Sequence, residues 1–306
     1  MNRDNPASLN CSIGVFAHNE AENIAQLLES LVSQTLDSVV IAEIIVVSSA
    51  STDGTDELVE KYALAHPAVR LIRQEKREGK SSAINLFLKE AASDILVVIS
   101  GDVVPEAKTI ELLVSVFKDP MVGATGGRPI PINDPATFMG YAVHALWRLH
   151  HRLAMISPKL GEMIAFRKLM DAIPSDSAVD EASIEAIVRQ HGLRLRYIPE
   201  AVIRNKGPQN IKDFVKQRRR IQNGHLWLKA KQSYKVSSQK GGMLFWIILD
   251  EVIEFPHSAP KLFAVMALEM YARILGCLDY HLLGKNPFAW EIVASAKKTG
   301  SGNQSL

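Results

Sequence analysis

The chain has 306 residues, 47% of them hydrophobic and 22% charged, which suits one large folded domain or a domain with an extension and excludes a disordered chain. With 35 Lys and Arg against 33 Asp and Glu the net charge is +2, which gives no argument for a nucleic-acid partner and makes any basic surface a local one. The two cysteines, Cys11 and Cys277, exclude a disulfide framework and a cysteine-built zinc site, and suit a reducing, cytoplasmic compartment.

The polar start, Met1–Pro6, lacks the apolar core of a signal peptide. Ser12–Ala17 then reads as a buried strand, followed by a helical pattern from Glu20 to about Gln34. Glu43–Val47 is a second strand, closed by the turn-rich Ser48–Gly54, with a helix over Thr55–Ala65. Val69–Arg73 is a short third strand, Lys80–Ala92 a helix and Ile95–Ser100 an apolar fourth strand. Strands separated by helices of this length predict βαβ units, hence an α/β fold with a mostly parallel sheet flanked by helices. Ligands of such sheets sit beyond the carboxyl ends of the strands, where Ser48–Asp53, Glu78–Ser81 and Ser100–Asp102 should converge.

The second half reads differently. Gly123–Pro131 is rich in Gly and Pro, and a long helical segment runs from Pro135 to about Ile156. Arg194–Ile203 reads as one more strand and Asn210–Leu228 as a basic helix. Beyond about residue 230 the chain becomes an apolar and basic helical extension. Met243–Leu249 runs into Asp250 and Glu251, and Leu262–Leu278 carries Glu269 and Arg273, four apart and able to pair on one helix face. No stretch reaches about 18 uncharged apolar residues, so no membrane span is expected.

Each chemically suggestive residue has two readings. Asp102, where the fourth strand ends, could ligate a cation or simply form a turn. Asp53 could face a nucleotide or cap the helix that starts at Thr55. Gly79-Lys80-Ser81 resembles the end of a phosphate loop, but Gln74 stands where the full pattern needs Gly; Lys80 could still meet a phosphate at a helix start. Asp180-Glu181 could hold a general base with a raised pKa or answer the helix dipole. Gln217-Arg218-Arg219-Arg220 could bind a diphosphate or lipid headgroup, or be a solvated face. His150 and His151 are adjacent and cannot share one helical face with His144, which argues against a three-histidine metal site.

In this order and spacing the chain resembles a family 2 glycosyltransferase of the GT-A type over roughly residues 11–230. The motifs carrying the likeness are Ser12–Glu20, Ile44–Thr55, Gly79-Lys80 with Asn85, Asp102 at the last position of an Asp-x-Asp motif, Asp180-Glu181, and Gln217-x-x-Arg220. The resemblance implies a GT-A catalytic domain over residues 1–230. The basic stretch over 210–240, leading into apolar helical segments, makes the C-terminal extension over 231–306 either a surface that lies on an anionic membrane or a helical cap packed on the catalytic domain. The resemblance also implies inverting transfer of a sugar from a nucleotide-sugar donor, a UDP-sugar above others, to a hydroxyl acceptor that is lipid-linked or a polysaccharide, with a role in cell-envelope polysaccharide or glycoconjugate synthesis. Glu181, or Asp180, would be the base; Ala17, Asn19, Glu20, Ser49, Asp53, Lys80, Gly101 and Asp102 would bind the donor. Arg128, Gln217, Arg219 and Arg220 would serve the diphosphate and acceptor, and Asp102 would ligate Mg2+ or Mn2+.

Four positions depart from the family pattern. Ser48-Ser49 replaces an Asp pair, Ser100 replaces the first Asp of the metal motif, the acidic pair is reversed, and Ile221 stands where processive synthases carry Trp. The serines keep a non-catalytic nucleotide-sugar-binding scaffold in view. A nucleotidyltransferase would want a Gly-rich loop after the first strand, where Ala17–Ala21 stands, and no Gly-x-Gly-x-x-Gly suits a dehydrogenase. The expected location is cytoplasmic, peripheral on the cytoplasmic membrane face, without nucleic-acid partners.

Overall fold

The computed structural model describes residues 8–234 and 241–286. Its first strands are β1 (Leu9–Ala17), β2 (Val39–Ser49), β3 (Val69–Gln74) and β4 (Ile95–Ser100), linked by helices α1 (Ile24–Val32), α2 (Thr55–Ala65) and α3 (Lys80–Glu90). All the β1–β2, β2–β3 and β1–β4 pairings are parallel. Strands β1 and β4 are almost continuously apolar because helices cover both their faces. On one face Ile13, Val15, Val46 and Val97 meet α1 through Ile24, Leu27, Leu28 and Leu31. On the other, Phe16, Val47 and Val98 meet α3 through Ile84, Phe87 and Leu88.

The second half adds β5 (Val104–Pro105), α4 (Thr109–Val114), β6 (Val122–Pro131), α5 (Phe138–Ile156), β7 (Met163–Arg167), α6 (Asp180–Gln190), β8 (Arg194–Asn205) and α7 (Ile211–Gln232). Among the described residues the strands form one sheet in the order β3-β2-β1-β4-β7-β6-β8-β5. Strand β7 runs antiparallel to both β4 and β6, while β6 and β8 are parallel.

Strand β6 takes in Gly123–Pro131, which in the sequence stands out only as rich in Gly and Pro. Its glycines serve close approach rather than turning: a Cβ at Gly127 would lie 2.3 Å from the Ala201 carbonyl oxygen of the neighbouring strand. The sequence shows such a segment as punctuation, although the sheet uses it as a strand.

The C-terminal helices α8 (Gly241–Glu254) and α9 (Ala259–His281) pack against α5 and α7, sharing a core built from Ala145, Leu149, Phe214, Ile247, Leu262 and Val265. Three ion clusters reinforce this core. Buried Glu251 of α8 takes Arg148 Nε at 2.7 Å and Arg152 Nε at 3.1 Å from α5. Glu269 of α9 accepts two hydrogen bonds of 2.7 Å from Arg218 of α7, and Arg219 pairs with Asp279. The expected Glu269–Arg273 pair forms within α9, at 2.7 Å. No helix among the described residues is long and apolar enough to cross a membrane.

Candidate active site

One cleft of about 760 Å³ opens at the carboxyl ends of β1, β2 and β4 and runs between α3, α6 and α7. The three expected polar clusters converge there through Ser49, Gly79-Lys80 and Ser100–Asp102. Ala17 and Glu20 line the same wall, and Asp180, Glu181, Gln217 and Arg220 face them.

Helix dipole and side chains act together at the starts of α3 and α6. Lys80, first residue of α3, places Nζ 2.7 Å from Glu181 Oε1 and 3.4 Å from Asp180 Oδ2. Ser81 donates to the Asp180 carboxylate at 2.8 Å and also reaches the Ser177 carbonyl. Burial alone would depress the Lys80 ammonium, but Glu181 and Asp180 outweigh it and raise its pKa. The two carboxyls diverge. Burial, abetted by Glu181, pushes Asp180 up despite Lys80. Glu181, with the shorter contact, is held below its usual range against burial by the Lys80 ammonium. Glu181 is therefore the more firmly ionised of the two.

Asp102 sits just beyond β4. Gly101 before it admits no side chain at this spacing, since a Cβ there would lie 2.9 Å from Glu20 Cγ and 3.3 Å from the Phe16 carbonyl oxygen. Glu162, just before β7, faces the same space with a left-handed backbone (φ 57°), a conformation that costs a non-glycine residue about 1–2 kcal/mol. Burial, then the charges of Asp102 and Glu181, pushes its carboxyl up to about 7. Arg220 answers this acidic group: burial lowers it to about 9 while Asp180, Glu181, Glu162 and Asp102 hold its proton on.

Among the described residues no three His, Cys, Asp or Glu side chains are arranged as a metal cage. Asp102 with Glu162 close enough to be electrostatically coupled instead suits a hard divalent ion, because Mg2+-type sites take one or two carboxylates and complete their shell with substrate phosphates and water.

Four expected site residues do not line the cleft. Asn19 (φ 54°) accepts from Thr52 N at 2.8 Å, and Asp53 accepts from Ala21 N at 3.0 Å and Thr55 N at 3.1 Å. These two side chains stitch the β1 and β2 exit loops together, shaping the wall from behind. Arg219 points along α7 to Asp279 of α9 because its helical position faces away from the cleft. Arg128 lies within β6, near His151 and Tyr197. The serines at the departures are engaged as well: Ser48 Oγ bonds Ser51 Oγ at 2.8 Å and Ser49 Oγ bonds Gln74 Oε1 at 2.5 Å.

Sequence reasoning missed Glu162, Lys159 and Glu185 as cleft residues, gave Arg218 only as one of three successive arginines able to bind a diphosphate or headgroup, and gave His150 no part in a site. Glu185 lies one turn beyond Glu181 on α6, a spacing that carried the signal. Glu162 offered a fainter one, a lone carboxylate after Gly161 and directly before the apolar run Met163–Phe166.

The glycosyl transferase family 2 model matches residues 12–188, more than half of the chain, and the protein belongs to that family. Its fold is of the GT-A type. Glycosyltransferase AglE of Haloferax volcanii is 29% identical over 116 residues, 38% of each chain. Poly-beta-1,6-N-acetyl-D-glucosamine synthase of Staphylococcus aureus is 24% identical over 250 residues, 77% of this chain and 59% of the relative. The chain thus spans about three-fifths or less of these curated relatives. Mannosyltransferase PcManGT of Pyrobaculum calidifontis, solved with GDP-Man and Mn2+, has a similar fold (TM-score 0.60, 24% identity, 92% of this chain and 83% of that one).

Proposed function

We propose that the protein transfers a sugar from a nucleotide-sugar donor to an acceptor hydroxyl with inversion at the anomeric carbon. The observation that carries this reading is the Asp180-Glu181 pair facing Lys80 in the cleft that Asp102 also lines. Ala17, Glu20, Ser49, Gly101 and Asp102 hold the donor, with Asn19 and Asp53 fixing the loops behind it. Asp102, with Glu162, would hold a Mg2+ or Mn2+ ion, which supplies charge neutralisation for the diphosphate. Lys80 and Arg220 offer cationic donors to the same leaving group. Glu181 takes the acceptor hydroxyl proton as the new O–C bond forms and the bond from the anomeric carbon to the diphosphate oxygen breaks; Asp180 is the rival base. Gln217 stands on the acceptor side.

A calorimetric screen tests this: UDP-, GDP- and dTDP-sugars, each with Mn2+, Mg2+ or EDTA, on the wild type and Asp102→Ala. Metal-dependent binding of one donor that the variant loses is expected. Folded protein that binds no nucleotide sugar refutes the reading. The family resemblance favours a UDP-sugar, while the Pyrobaculum neighbour is described with GDP-Man.

The extension favours contact with a membrane surface. Phe245 and Trp246 of α8 are 63% and 64% exposed, and Phe263, Met270, Ile274 and Leu278 line the outer face of α9. Much of the basic charge expected to assist is already committed, Arg218 and Arg219 to α9 and Lys231 to Asp176, so apolar insertion leads and charge assists. Co-sedimentation with anionic vesicles at low salt is expected; none at all sinks the idea. A lipid-linked acceptor fits that location.

A further inference from the structure

The cleft contains two groups of charges. The first is the acidic set around Asp102, Glu162, Asp180 and Glu181, countered by Lys80 and Arg220. The second lies between α5, α6, α7 and α9 and has the opposite character. Lys159, Arg218 and Arg273 are its cations. Glu269, already shared between the two arginines, is its firmly ionised carboxylate. Its other acid, Glu185, is pushed up to about 7 by burial and is occupied by Leu160 N at 2.6 Å and Tyr234 Oη at 2.8 Å.

Positive charge is therefore in excess where burial makes it costly. Burial, then the neighbouring Arg218, depresses the Lys159 ammonium to about 8. His150 of α5 lies against the same space, with its ring edge-on to Trp147. Its Nε2 is buried and has no hydrogen-bond partner among the described residues. A buried ring nitrogen left unanswered is destabilising, so a polar group that arrives with the substrate would relieve it. Leu146, Leu149, Leu153 and Phe214 make the remaining wall apolar.

We propose that this inner chamber is the acceptor subsite and that it selects an acceptor bearing an anionic group, a phosphate or carboxylate, on an apolar body, with Lys159, Arg218 and His150 Nε2 receiving the anion. The proposal rests on the glycosyltransferase reading of the outer half of the cleft. A neutral carbohydrate acceptor would leave the cationic surplus and the His150 nitrogen unanswered.

The test is calorimetric binding of three probes to the full chain: dodecyl phosphate below its micelle concentration, inorganic phosphate, and neutral dodecyl maltoside. Dodecyl phosphate should bind at least tenfold tighter than either of the others. Lys159→Met and His150→Leu should each abolish most of that preference, and Lys159→Arg should restore it. Inorganic phosphate binding as tightly as dodecyl phosphate would mean a free-phosphate site, and equal binding of dodecyl maltoside a merely greasy one. Either result overturns the proposal, as does an unchanged preference in both variants. Nucleotide-sugar binding is measured on the same samples, verifies their fold and separates the two readings. Donor binding without anion preference refutes the subsite alone, and anion preference without donor binding refutes the acceptor role together with the reading it rests on.

Discussion

Replacing Glu269 with Gln probes the joint between α9 and α7. Both oxygens of this carboxylate are in use: Oε2 by Arg218 Nε, Oε1 by Arg218 Nη2 and Arg273 Nε, each at 2.7 Å. Burial pulls its pKa upward, but the two guanidiniums prevail and hold it at about 2, against an ordinary 4.5. A pKa depressed by folding contributes stability above the unfolded value, and this is lost as the pH falls through the folded one. The difference from 4.5 to about 2 is worth roughly 3 kcal/mol at neutral pH and about 1 kcal/mol at pH 3. Glutamine carries no charge and turns an NH2 toward a guanidinium, so Glu269→Gln should cost about 3–5 kcal/mol at pH 7. Urea unfolding of both proteins at pH 7, 5 and 3 measures it. The gap should hold from pH 7 to 5 and shrink below about 4.5. A gap as wide at pH 3 as at pH 7 would show that shape, not ion pairing, holds the joint.

Glu181→Gln should lower kcat by about 10²–10⁴ while donor affinity stays near wild type; donor affinity collapsing with normal turnover of bound donor would remove Glu181 from the base role. Lys80→Met removes the cation that holds Glu181 down, so the base titrates higher and the acidic limb of the kcat profile should move to higher pH. An unmoved limb would mean that Lys80 does not set the ionisation of the base.

Much of the frame of the cleft was legible because local rules decide it. The continuous apolar runs of β1 and β4 and the turn chemistry after each strand place Ser49, Lys80 and Asp102 at one sheet edge. Strand β6 was not legible, since its glycines answer to the neighbouring strand and not to their own segment. The Arg218–Glu269 and Arg148–Glu251 pairs span 51 and 103 positions, and nothing local marks them. Asp53 and Arg219 show the complementary limit, for a motif identifies a residue type at a position but not the direction in which its side chain is spent.

Glu269 and Arg273 of α9 and Leu244 of α8 line the same cleft as Asp102. The family-wide segment, residues 12–188, thus builds only part of that wall; the end of β8 and helix α7 add more of it, and the two helices α8 and α9 complete the rest. Relatives that share the nucleotide-side scaffold are free to diverge through these two helices, leaving the sheet untouched. For the engineer, a fragment ending near residue 230 would keep Asp102, Lys80 and Glu181 but strip Arg218 of its carboxylate and open the inner chamber to water.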